Sequence, residues 1–182
     1  MAAVAEGDHV AFETLVHRHL DSIHGYLHRL TGSAADAEDL AQETFLRVWQ
    51  KAGSYEPGRV KLTTWLHTIA HRRSVDVFRR KREQSGFEGP EFPDSREGPA
   101  QSRAADETRR RLDTALRALP ERQRAAILLC QVQGFSNGQA ADIMGIGTRA
   151  LESLLARARR TLRESLTAQG VMGNPRAADG SK

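Results

Sequence analysis

GFSNGQAADIMGIGTRALESLLARARR, Gly134 to Arg160, decides how the rest of the chain is read. Ser136 and Gln139 stand three positions apart ahead of an apolar-periodic run, the spacing of a capping box that satisfies free backbone N–H groups at a helix start. Ala140 gives the short helix a small face for close contact, Gly145 makes the turn, and a longer helix follows from Thr148. The construction is that of a helix-turn-helix. Its second helix ends in Arg157, Arg159, Arg160 and Arg163, suited to phosphates, while Thr148, Arg149, Glu152 and Ser153 in its first turns face a groove of DNA. The competing reading is a plain helical hairpin with a solvated basic face.

Outward from this motif the same helical period continues. Apolar residues recur at three and four, and no alternating run of β-branched residues is long enough for a strand, so an all-α chain is expected. Helices are predicted near residues 105–118 and 120–131, the latter with Pro120 at its first position, where the missing N–H costs nothing. Further upstream lies SGFEGPEFPDSREGPAQS, Ser85 to Ser102, with three Pro, three Gly and several acids. Such a segment cannot bury enough apolar surface to fold alone and reads as a flexible linker.

Before the linker three helices are predicted, near residues 8–30, 34–51 and 62–82. The first carries Phe12, Val16, Leu20, Ile23, Leu27 and Leu30 on one stripe; the second starts behind Ser33 as N-cap and buries Leu40, Phe45, Val48 and Trp49. The layout is two small helical domains, residues 8–82 and 104–166, joined by a flexible acidic linker, 83–103, and followed by a disordered tail, 167–182. The length alone admits one domain or two small ones, and the linker settles for two. The linker should let the domains change their relative placement, so the free chain is expected to be extended or heterogeneous.

Charge and composition narrow the function. The chain carries a formal net charge of +4, unevenly distributed: from Arg59 to Arg82 eight Arg or Lys face one acid, Asp76. A basic helix bearing Trp65 and Phe78 among its apolar members suits a nucleic-acid backbone. Trp65 itself reads as core, because large aromatics at helical apolar positions usually pack. No apolar run approaches the length of a membrane helix and Met1 to Asp8 lacks a signal-peptide pattern, so a cytoplasmic protein is expected. The single cysteine, Cys130, excludes an internal disulfide and a multi-cysteine metal site, and its apolar context suggests a buried role. No nucleophile, base and oxyanion set and no phosphate loop emerges, so no enzyme and no cofactor are expected.

DAEDLAQETFLRVWQ, then TTWLHTIAHRRSVDVFRR, then LPERQRAAILL and the helix-turn-helix resemble the extracytoplasmic-function (group IV) sigma factors of the sigma-70 family, over about residues 11–166. The resemblance implies an alternative sigma factor: a subunit that binds core RNA polymerase, recognises the −10 and −35 elements of promoter DNA and helps open the duplex. It also implies a stress-response regulator held by an anti-sigma factor. Core polymerase would be met by Asp39, Gln42, Glu43 and Leu46, which fall at helical spacing on one side of their helix, away from Leu40, Phe45 and Trp49. An acidic solvated face is the alternative there.

By position in the family pattern, Lys61, His71, Arg72 and Arg73 fall where relatives read the −10 bases, and Arg79 and Arg80 where they hold the adjoining backbone; Thr148, Arg149, Glu152, Ser153, Arg157 and Arg160 face the −35 element. Two departures bear on specificity. Arg72 stands where relatives often have Asn, and Glu152 and Leu154 stand where many have basic residues. His17, Asp21, His24 and His28 follow i, i+4, i+7 and i+11, a spacing open to a metal, but the expectation is polar boundary packing and no metal. A function of another class, a sigma-like decoy that sequesters an anti-sigma factor by protein contact, needs no DNA surface, and the basic stretch argues against it.

Overall fold

The computed structural model describes residues 1–85 and 103–169. Most of the expected linker and tail, residues 86–102 and 170–182, lies outside the described residues. All regular structure among the described residues is helical: α1 Ala2–Ala5, α2 His9–Thr31, α3 Ala34–Gln50, α4 Leu62–Ser85, α5 Arg103–Arg117, α6 Glu121–Ile127, α7 Asn137–Met144 and α8 Thr148–Ala168.

Local chemistry sets most boundaries. Asp8 caps α2 from outside the helix, its carboxylate accepting from the Val10 and Ala11 amides at 2.9 and 3.0 Å. Gly32 ends α2 with φ 74°, a left-handed conformation that glycine adopts without a Cβ clash. Ser33 Oγ then accepts from the Asp36 amide at 3.3 Å and starts α3. Helices α4 and α8 run past the expected ends at Arg82 and Leu166, because no Gly or Pro interrupts them there. Pro120 sits at the N-cap of α6, one residue outside the helix it was expected to open.

Helices α2, α3 and α4 form the first unit. Ile23, Tyr26, Leu27 and Leu30 of α2 pack with Leu40, Ala41, Thr44, Phe45 and Val48 of α3 and with Leu66 and Ala70 of α4. The buried stripe of α2 differs from the expected one: Leu15 and Tyr26 are inside, Phe12 and Val16 are partly buried, and Leu20 is exposed. Trp65 packs at the edge of the core, its ring 5.3 Å from that of Tyr55.

The second unit, α5 to α8, centres on Leu128, Leu129, Ile143, Leu151 and Ala158. Where the sequence predicts one helix from 120 to 131, α6 passes into a π turn at Leu128–Val132. The turn closes with the Gln133 amide on the Leu128 carbonyl at 2.9 Å, and the Phe135 amide reaches the Leu129 carbonyl at 3.0 Å. The extra residue per turn swings Gln133 and Phe135 toward the first unit.

The two units are packed together, not extended, and their buried residues form one continuous core. Phe135 meets the His67 ring edge-on at 4.8 Å, Ser22 Oγ donates to Gln133 Oε1 at 2.8 Å, and Arg82 pairs with Glu121 at 3.1 Å. In this arrangement the apolar surfaces of Phe135 and Leu116 belong to the same core as the first unit.

Candidate nucleic-acid interface

Three faces carry the residues singled out from the sequence. On α8, Thr148, Arg149, Glu152, Ser153, Arg157 and Arg160 are all exposed, and Leu151, Leu155 and Ala158 anchor the opposite side. Helix α7 sets the angle of α8. Its capping box is complete, with Ser136 Oγ accepting from the Gln139 amide and Gln139 Oε1 from the Ser136 amide. Gly145, at φ 63°, makes the left-handed turn, and the Ile146 amide bonds back to the Ala141 carbonyl at 3.0 Å. Ser153 Oγ donates to the Arg149 carbonyl at 3.0 Å, so with that bond in place this hydroxyl can meet a base edge only as an acceptor.

On α4 and the turn before it, Lys61, Arg72, Arg79 and Arg80 are exposed. The turn is fixed by the Tyr55 hydroxyl, which donates to the Val60 carbonyl at 3.0 Å. Arg79 lies 3.6 Å from Asp76 and 3.9 Å from Glu83, pairings weak enough at this exposure to yield to a phosphate.

Two α4 candidates are turned inward, unlike Arg72. His71 is 7% exposed and shares a 2.9 Å hydrogen bond with the Tyr26 hydroxyl, so it faces the core and no base reaches it in this arrangement. Burial, with Arg122 and Arg72 adding repulsion, lowers its pKa to about 4. Arg73 is engaged by the protein's own carboxylates, Glu43 on α3 and Asp76 one turn on. Helical spacing alone could not separate these two from Arg72, because the face that α4 buries depends on how α2 and α3 pack against it.

On α3, Asp39, Gln42 and Leu46 are exposed, whereas Glu43 is half-buried against Arg73. The expected separation of this face from Phe45 and Trp49 is not found. Gln42, Phe45, Leu46 and Trp49 line one apolar groove between α2 and α3 with a volume of about 800 Å³, completed by Phe12 and Val16. The α2 side of this groove was missed because Phe12, Val16 and Leu20 match a core stripe. The exposed Leu20 is its signal, and it becomes visible only after packing.

Among the described residues no group of three His, Cys, Asp or Glu is placed to hold a metal. His17 approaches Glu13 at 3.7 Å, and the His24 and His28 rings stack at 6.1 Å. Burial, with His24 beside it, lowers the pKa of His28. Cys130 is half-buried, its thiol 3.8 Å from Asn137 Oδ1, and burial raises its pKa. No helix among the described residues is long and apolar enough to cross a membrane.

Comparison with known proteins matches this architecture. The family models described as Sigma-70 region 2 and Sigma-70, region 4 match residues 15–84 and 109–162. ECF RNA polymerase sigma factor SigE of Mycolicibacterium smegmatis is 33% identical over 169 residues, covering 89% of this chain and 65% of its own length. RNA polymerase sigma factor CarQ of Myxococcus xanthus is 34% identical over 166 residues, covering 91% of this chain and 95% of its own. Among solved structures, the sigma factor RpoE in complex with the anti-sigma factor NepR from Bartonella quintana superposes with a TM-score of 0.74 at 30% identity, over 86% of this chain and 97% of that one.

Proposed function

The chain belongs to the extracytoplasmic-function sigma factors of the sigma-70 family, and from that premise we propose that it is an alternative sigma factor that binds core RNA polymerase and directs initiation at promoters with its own −10 and −35 elements. The observation that carries the reading is the order of the two family matches along the chain, each on a helical unit with exposed polar residues of the required chemistry. A sigma factor has no catalysis of its own; it supplies specificity and strand-separating contacts. Such a role is cytoplasmic. An anti-sigma factor is the further partner, and the RpoE–NepR complex is a relative that has one.

The division of labour follows the faces described. Core polymerase docks on Asp39, Gln42 and Leu46 and the groove beside them, where an exposed Leu and an apolar trough give an anchor within a polar rim. Lys61, Arg72, Arg79 and Arg80 hold the −10 strand, and Arg157 and Arg160 hold the −35 backbone. Thr148, Arg149, Glu152 and Ser153 meet base edges, with Glu152 suited to accept from a cytosine amine.

The test is transcription by core polymerase reconstituted with the purified chain over a library of −10 and −35 variants. Initiation that depends on the chain and selects a defined pair of elements is expected. A chain that binds an anti-sigma factor yet starts transcription from no library member would instead be the decoy.

A further inference from the structure

The seam between α3 and α4 is a charged ladder. The helices run antiparallel, so Asp36 at the start of α3 meets Lys81 near the end of α4, with Nζ to Oδ2 at 2.6 Å. About two turns further along α3, Glu43 meets Arg73, about two turns back along α4.

Arg73 differs from the other cations of its helix. Its side chain is 17% exposed; Nη2 is on Glu43 and Nη1 donates to Asp76 Oδ2 at 3.1 Å. Its Nε is buried without a hydrogen-bond partner. Both arms of the guanidinium fork therefore engage carboxylates of the protein, and the side chain is mostly enclosed. Asp76 in turn faces Arg79 with its other oxygen, and Arg79 is 65% exposed.

A path of charges thus runs from α3 to the outside of α4: Glu43, adjacent to Gln42 and one turn before Leu46, then Arg73, Asp76 and Arg79. Asp76, one turn along the same helix, sets the direction of the Arg73 fork, and Glu43 meets that oriented fork across the seam, so the contact ties α3 to α4 in distance and angle. Neutralising one partner leaves the other charges without compensation, so the relation relaxes.

We propose that Arg73 is a positioning residue that, through Glu43 and Asp76, holds the polymerase-docking face of α3 and the DNA-contacting face of α4 in one fixed relation, an inference that rests on the sigma-factor reading above. Arg73 does not itself bind promoter DNA. Without it the chain still docks on polymerase, but presents Arg72 and Arg79 to the strand out of register.

The test uses holoenzyme assembled with Arg73→Gln, Glu43→Gln, the double variant and Arg73→Lys, on a promoter selected from the library by the wild-type chain. Core-polymerase affinity is read by competition, open-complex formation is read from preformed holoenzyme, and promoter binding is followed against salt. Arg73→Gln is expected to lower open-complex formation about tenfold while core affinity changes less than about threefold, the scale of coupling between neighbouring charges. Glu43→Gln in preformed holoenzyme should show the same opening defect, and the double variant should be no worse than either single. The salt dependence should keep its slope. Arg73→Lys, which keeps the charge and removes the fork, should recover part of the opening, and it carries the comparison if Arg73→Gln does not fold.

Multiplicative defects in the double variant would overturn the proposal. So would a salt slope lowered by about one in Arg73→Gln, the mark of a phosphate that the wild-type side chain holds. An Arg73→Lys chain equal to wild type would do the same. Failure of the wild-type chain to initiate anywhere in the library would sink the sigma-factor reading instead.

Discussion

Tyr26 and His71 meet inside the helix stack, and their 2.9 Å hydrogen bond satisfies both polar atoms. Tyr26→Phe keeps the packing but leaves His71 Nδ1 alone, which should cost about 1–3 kcal/mol in urea unfolding. One turn earlier, His67 donates from Nδ1 to the Thr63 carbonyl at 2.9 Å, and its Nε2 is buried without a partner. Burial lowers the pKa of both rings, so both are neutral in the folded chain. Around His71 the neighbours oppose a proton: Arg122 and Arg72 face it, and the Tyr26 hydroxyl, itself pushed up by burial, stays uncharged; around His67 burial outweighs the Thr63 carbonyl and the Gln133 side chain, which favour the charged ring. A depressed histidine means that the unfolded chain binds the extra proton first. Stability is therefore full above the ordinary value of 6.5 and falls as the pH drops toward the folded value of about 4, by a term on the order of 3 kcal/mol for His71. Unfolding midpoints measured from pH 7 down to pH 4 should fall steeply in the wild type and less so in His71→Gln.

At the scale of elements, α8 separates two kinds of contact along one helix. Glu152 and Ser153 lie in its first turns, whereas Arg157 and Arg160 lie further along the exposed side. Changing Glu152 and Ser153 should alter the −35 preference by about 1–3 kcal/mol per discriminated base pair, read as a shifted profile in the promoter library. Changing Arg157 and Arg160 should weaken binding to every sequence and lower the salt slope by about one for each phosphate no longer neutralised. Helix α7 was legible in full, because its capping box and Gly145 are local chemistry. The π turn after α6 was not, since nothing in LLCQV disfavours an α-helix. The residues that follow it, Gln133 and Phe135, meet Ser22 and His67 of the neighbouring unit.

In the whole molecule the packing of the two units joins these scales. Phe135 covers His67, and Arg117 lies over Gly32, where an added Cβ would meet its Cδ at 3.7 Å. Phe135→Ala combined with Gln133→Ala should raise the radius of gyration of the free chain in small-angle scattering at pH 7, and lowering the pH of the wild type should move it the same way, because a proton on His67 places a charge in the buried seam. Helical class, the helix-turn-helix, the caps at Ser33 and Ser136 and the family were all readable from residue order, because periodicity, capping and turn chemistry act over a few neighbouring positions. Which side of α4 is wet was not readable. Arg72, Arg73 and His71 are consecutive and all candidates for DNA contact by position, yet one is exposed, one is clamped by Glu43 and Asp76, and one is bonded to Tyr26. That sorting depends on residues about 30 and 45 positions away meeting α4 from two different helices, a long-range burial that no local period encodes.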